Sequence, residues 1–99
     1  MEIKIQPIHF DATEKLQSFI EKKLSKLEKF AENAKSAEVI LKVVKPETVK
    51  NKETSIRIAL AGGELFADKV CDTFEEGIDL CVEALHKQLE KHKEKTRGK

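Results

Sequence analysis

The chain has 99 residues, 39% of them hydrophobic and 37% charged, with a formal net charge of +1 at pH 7. That length suits one domain, residues 1–99, with a single modest core, and excludes a second. No apolar run approaches the ~20 residues of a membrane span, and the start Met1-Glu2-Ile3 lacks the basic and apolar regions of a secretion signal, so a soluble cytoplasmic protein without membrane contact is expected.

In "EIKIQPIHF" Ile3 and Ile5 alternate with Glu2, Lys4 and Gln6, the period of a half-buried strand, and Pro7 bends or ends its paired part. "DATEKLQSFIEKKLSKLEKFAENA" follows with Leu16, Phe19, Ile20, Leu24, Leu27, Phe30 and Ala31 at helical spacing. Asp11 can cap this helix, with Glu14 three residues on as a capping box requires. The expected helix covers residues 12–33.

"SAEVILKVVKP" predicts a second strand that stops before Pro46. "KPETVKNKE" has no apolar period and predicts an exposed loop. "ETSIRIALAGGELFADKVC" predicts two strands joined at Gly62-Gly63. "DTFEEGIDLCVEALHKQLEKHKEK" gives a second helix over about residues 73–95, capped by Asp72 or Thr73, with Phe74, Ile78, Cys81, Val82, Leu85 and Leu89 as its stripe. Residues 96–99, which include Gly98, are expected to form a flexible tail. The fold class is α+β, in the order β-α-β-β-β-α: a four-stranded sheet with two helices packed on one face. Leu27, Phe30, Ile78, Leu85 and Leu89 should lie buried between them, and Cys71 and Cys81 are read as reduced packing residues.

Both helices are sorted by the sign of their charges. At about 100° per residue, Lys15, Lys22, Lys26 and Lys29 fall on one flank of the first, and Glu14, Glu21, Glu28 and Glu32 fall further round. In the second helix Lys87, Lys91 and Lys95 form a ridge beside a strip of Asp79, Glu83, Glu90 and Glu94. One such helix has an ordinary explanation, a solvated face with i,i+4 pairs worth ~0.3 kcal/mol each. Two packed side by side predict one continuous positive groove, suited to a polyanion backbone because lysine pairs with phosphate without reading bases. With Phe as the only aromatic type there is little to stack on splayed bases, so the shape and phosphates of folded RNA fit better.

Catalysis is not expected. His86 and His92 are six apart and point in different directions, His9 ends the first strand, and no HExxH, Walker, GxSxG or metal-ligand spacing occurs. Gly62-Gly63 runs into strand-like sequence, which argues for a turn and against a phosphate cradle. No metal, cofactor or small-molecule substrate is implied.

"KLEKF" ending the first helix, "AGGELFADK" at the hairpin, "GIDL" early in the second helix and "KQLEKHKEK" near its end occur in order and at matching separations. Together they resemble the ribosome hibernation promoting factor family, also called ribosome-associated inhibitor A or YfiA-like proteins, from about Ile3 to Lys95. The resemblance implies a domain similar in shape to a double-stranded-RNA-binding domain. It further implies binding in the decoding region of the small ribosomal subunit, where the protein would block mRNA and tRNA without chemistry. The implied partners are that subunit and its rRNA, with the protein monomeric when free. Carried onto this chain, the family's rRNA contacts are Lys23, Lys26, Lys29, Lys87, Lys91 and Lys95, with Lys22 and Lys93 as neighbours. Lys23 lies near the apolar stripe, where its stem can follow the core edge while the ammonium snorkels outward.

Relatives often carry a "MYAAID"-like segment where this chain has "FEEGID", with Glu75 in place of the tyrosine. Glu75 and Glu76 also suit a helix N-terminus electrostatically. The resemblance is to the family's short form, without the C-terminal domain of its long members. Two alternatives stand beside this expectation: a protein-binding transcription regulator that modulates a sigma factor, and a general double-stranded-RNA-binding module.

Overall fold

A computed structural model describes residues 1–8, 11–31, 34–44 and 50–97, with side chains through Lys91. In chain order the elements are β1 (Glu2–Pro7), α1 (Glu14–Glu28), β2 (Ala34–Val43), β3 (Lys52–Leu60), β4 (Gly63–Cys71) and α2 (Phe74–Arg97). The sheet order is β1-β2-β3-β4. β1 runs parallel to β2, and the other two pairs are antiparallel. Parallel neighbours cannot be joined by a tight turn, so α1 is the crossover between β1 and β2. Pro7 is tolerated because β1 is an edge strand, and pairing runs one residue past it, from the Ile8 N–H to the Leu41 carbonyl at 2.8 Å.

Strand alternation builds the core. Ala37, Val39 and Leu41 of β2 and Ile56, Ile58 and Leu60 of β3 form one buried cluster with Leu16, Ile20, Leu24 and Leu27 of α1. Phe74, Ile78, Cys81, Leu85 and Leu89 of α2 complete it. Each fully buried aliphatic or aromatic side chain contributes ~1.5–3 kcal/mol, and both helix stripes and the inner sheet face share in it. Among the described residues no helix is long and apolar enough to cross a membrane.

The helix ends depart from expectation. Thr13, not Asp11, caps α1, with its Oγ1 accepting the Leu16 N–H at 3.1 Å. At the other end the N–H groups of Lys29, Phe30 and Ala31 donate to the carbonyls of Lys26, Leu27 and Glu28 at 3.3, 2.9 and 3.0 Å. These tighter i→i−3 bonds end the 3.6-residue period at Glu28. Phe30 therefore is not buried between the helices. It is 46% exposed, while Ala31, 2% exposed, takes the inward place. At α2, Thr73 is the cap, accepting the Glu76 N–H at 3.1 Å. The helical backbone runs to Arg97, two residues beyond the expected end, and Gly98 and Lys99 lie outside the described residues.

Two connections also differ. The β3–β4 turn is Ala61-Gly62, because Gly63 already pairs with Leu60. Gly62 has φ +141°, a backbone state that favours glycine. The expected loop over 45–53 is shorter, since Lys52 and Glu53 belong to β3. The Asn51 carbonyl accepts the Val44 N–H at 2.8 Å, and Asn51 is only 8% exposed. Residues 45–49 of that segment lie outside the described residues.

α2 packs closely against the sheet at Gly77. A Cβ there would fall 2.5 Å from Thr54 Oγ1 and 3.0 Å from Thr54 Cβ. Thr54 is fully buried on β3, and its backbone carbonyl accepts the Cys81 thiol at 3.5 Å.

Both cysteines are free and buried, as expected of packing residues. Burial, reinforced by the Asp68 carboxylate, pushes the Cys81 thiol from 9.0 up to about 12. Burial and then Glu76 raise Cys71 in the same direction. The fold thus favours the protonated thiols. That contribution to stability is intact below about pH 9 and is lost as pH rises toward about 12, because the unfolded chain ionises first. At pH 8 both thiols should resist iodoacetamide in the native protein and react promptly in urea; rapid native labelling would show that they are accessible.

Candidate nucleic-acid interface

The rotation of α1 is fixed by Leu16, Ile20, Leu24 and Leu27, all buried. This leaves Lys15, Lys22, Lys26 and Lys29 exposed on the surface above. Lys23 is different. Its half-buried stem runs beside the core, its Nζ lies 5.4 Å from the Phe19 ring centroid, and it reaches Asp79 Oδ1 on α2 at 2.9 Å. The snorkelling geometry read from the helical wheel is present, but the charge is already partnered and braces the two helices.

On α2, Lys87 and Lys91 are exposed. Lys87 Nζ lies 3.7 Å from Glu83 Oε1, a pair between two exposed groups and therefore weak. The α2 backbone also carries Lys93 and Lys95, whose side chains lie outside the described residues.

Among the described residues the two helices do not form the expected single positive groove. Lys23, Lys26, Leu27 and Phe30 line one wall of the interhelical groove, which holds about 260 Å³. The α2 wall is Asp79, Val82, Glu83 and His86. Lys87 instead lines a second depression, of about 190 Å³, with Lys69 of β4 and with Leu80, Glu83 and Ala84. The cause is the rotation of α2. Its apolar stripe faces the sheet, and Gln88 Nε2 donates to the Phe66 carbonyl on β4 at 2.9 Å, so Lys87 is directed to the β4 flank. Two basic banks result, with carboxylates between them.

Lys69 escaped the sequence reading, although its signal is present. It pairs in register with buried Thr54 and shares the strand parity of Ala67 and Cys71, the helix side of the sheet. A lysine at such a position on an edge strand projects past the sheet border and blunts that edge against further strand pairing. The other sheet face is left uncovered, as two helices packed on one face require. There Arg57 sits 5.9 Å from the Phe66 ring centroid and 3.8 Å from Glu64, beside Glu38, Ile40 and Ser55.

His86 meets Phe30 edge to face, with ring centroids 4.5 Å apart, and its Nε2 lies 3.6 Å from Glu90 Oε1. His9 lies outside the described residues. Among the described residues no three His, Cys, Asp or Glu side chains come together in a metal-holding group.

Comparison with known proteins follows from this geometry. The sequence profile of the family described as "Sigma 54 modulation protein / S30EA ribosomal protein" matches residues 3–97. A "Ribosome hibernation promoting factor" of Azotobacter vinelandii is 33% identical over 96 residues, covering 96% of this chain and 85% of the relative. The protein of that name from Escherichia coli K12 is 29% identical over 97 residues, covering 98% of each. Among solved structures, a ribosomal subunit interface protein from Coxiella burnetii superposes with a TM-score of 0.84 at 24% identity, over 94% of this chain and 98% of that one. The Thermus thermophilus Protein Y N-terminal domain does so with 0.78 at 22% identity, over 93% and 99%. At those identities the two structures establish the fold.

Proposed function

The chain belongs to the Sigma 54 modulation protein / S30EA ribosomal protein family, and from that premise we propose that it is a ribosome hibernation factor, binding the decoding region of the small ribosomal subunit and keeping mRNA and tRNA out. The observation that carries this reading is the end-to-end likeness to curated factors of that name. The lysine banks supply the physical means. Lys22 and Lys26 on α1, Lys29 just past its end, and Lys87 and Lys91 on α2 present exposed ammonium groups to rRNA phosphates, and Lys93 and Lys95 of the α2 sequence are proposed as further contacts. Such contacts set position and orientation without reading sequence. Lys23 acts mainly by holding the helices together through Asp79.

The action is occupancy without turnover, by a protein that is monomeric when free. In a purified translation system, inhibition should rise with the fraction of small subunits occupied and be relieved by excess tRNA or mRNA. Complete inhibition at protein amounts far below the ribosome concentration would mean catalysis and end this reading.

A second reading is favoured by one observation, the uncovered sheet face with Arg57 and Phe66, which offers a protein partner such as a sigma factor a surface apart from the lysines. The two separate in a lysate. Association through phosphates is abolished by high salt and by nuclease, whereas protein docking on that face survives both.

A further inference from the structure

Phosphate recognition leaves the interhelical groove unexplained. Cations suffice for a phosphate backbone, yet this groove has an apolar floor of Leu27 and Val82 and two carboxylates, Asp79 and Glu83, on its α2 wall. Carboxylates repel phosphates and accept from N–H donors. Beside them stands an aromatic pair, an exposed phenyl ring against a half-buried imidazole. Phe30 is 46% exposed, and its ring meets that of His86 at an interplanar angle of 62°. Lys26 lines the α1 side of the same groove. Apolar ring surface, a hydrogen-bond acceptor and a nearby cation are the three groups that an unstacked nucleotide requires.

Size and donor pattern narrow the occupant. A groove of about 260 Å³ falls below the ~300–1,000 Å³ of sites for drug-sized ligands, a size that suits a nucleobase. Glu83 is the available acceptor, because Asp79 is held by Lys23 at 2.9 Å while Glu83 has only the longer, exposed contact to Lys87 at 3.7 Å. Among the RNA bases, guanine alone carries two adjacent donors on its Watson–Crick edge, N1–H and N2–H, spaced for the two oxygens of one carboxylate. Uracil would turn carbonyl oxygens toward Glu83.

We infer that the α1–α2 groove is a base pocket that takes one unpaired guanine of the bound RNA, with its face on Phe30, its Watson–Crick edge on Glu83 and its phosphate at Lys26. The inference rests on the RNA-binding reading above. It adds base recognition to what the lysine banks alone would make a sequence-blind contact.

The test uses small ribosomal subunits and kethoxal, which adds across N1 and N2 of unpaired guanine. Wild-type protein should protect a guanine that becomes reactive again with Phe30→Ala and with Glu83→Gln. A base stacked on an aromatic ring is worth roughly 5- to 150-fold in affinity, so both variants should still saturate subunits when added at correspondingly higher concentration. Equal protection by wild type and variants, or bound wild type that protects no guanine, would overturn the pocket and leave the hibernation reading standing. Phe30-dependent protection of adenine or cytosine, read with dimethyl sulfate, would overturn the guanine assignment. Wild-type protein that fails to sediment with subunits would overturn the RNA reading and the pocket together.

Discussion

Leu85→Ala should destabilise the domain by ~2–5 kcal/mol, through the transfer free energy of the removed atoms and a residual cavity. Leu85 is 0% exposed and lies in mid-α2, within the cluster that includes Ile56 and Ile58 of the sheet and Leu24 of α1. Since a domain of this size has only ~5–15 kcal/mol in total, the variant should unfold at markedly lower urea. Phe30→Ala provides the contrast. At a half-exposed site outside the core the loss should stay near ~0.5 kcal/mol. A loss below that value for Leu85→Ala would mean that the α2 face is assigned wrongly.

Changing Lys87, Lys91 and Lys95 together to Gln should weaken binding to small subunits by roughly 3- to 150-fold, from ~0.2–1 kcal/mol for each exposed pair. The logarithmic salt slope should fall by roughly 0.7–0.9 for each phosphate that no longer meets an ammonium group. Lys87 and Lys91 touch no part of the core, so the unfolding midpoint should barely move. Lys23→Gln should behave in the opposite way. Its charge is already neutralised by Asp79, so the salt slope should hold while the midpoint drops modestly. Deleting residues 96–99 should weaken binding less than the triple change. Sedimentation across a salt series separates these cases, and a tail deletion more damaging than the triple variant would relocate the interface to the chain end.

Element order and most of the core were legible because apolar period is a local property. Ile56 and Ile58 alternate with exposed Arg57, and Leu16, Ile20, Leu24 and Leu27 recur at helical spacing, so their inward faces follow from the sequence alone. Phe30 was misread because the period was carried past the point where i→i−3 bonds close α1, an ending that no Gly or Pro announces. Asp11 and Thr13 are both competent caps, and only the backbone path decides between them. The candidate site was harder for a different reason. A helical wheel gives each lysine's angle from its own apolar stripe, but not which neighbouring element that flank will face. Lys87 therefore ended on the β4 side of α2, and the carboxylates of Asp79 and Glu83 line the interhelical groove.

The absence of a side chain at Gly77 acts on a surface the residue never touches. At 1.5 Å per residue, Lys87 and Lys91 lie ~15 Å and ~21 Å along α2 from it. The first turn rests directly on Thr54, so this contact is the pivot of a long lever. Thr54 is β-branched, stiff at χ1 and fully buried, so the added methyl of Gly77→Ala should lift or tilt the helix at its base. An overpacking cost of ~1–3 kcal/mol should come with weaker subunit binding in a protein whose lysines are all intact. Thr54→Ala in the same chain should restore part of both; unchanged stability and binding in Gly77→Ala alone would show that the helix is not seated there. If it is, a side chain at 77 requires a smaller one at 54, and the aim of the lysine bank is governed by a hydrogen atom about three turns away.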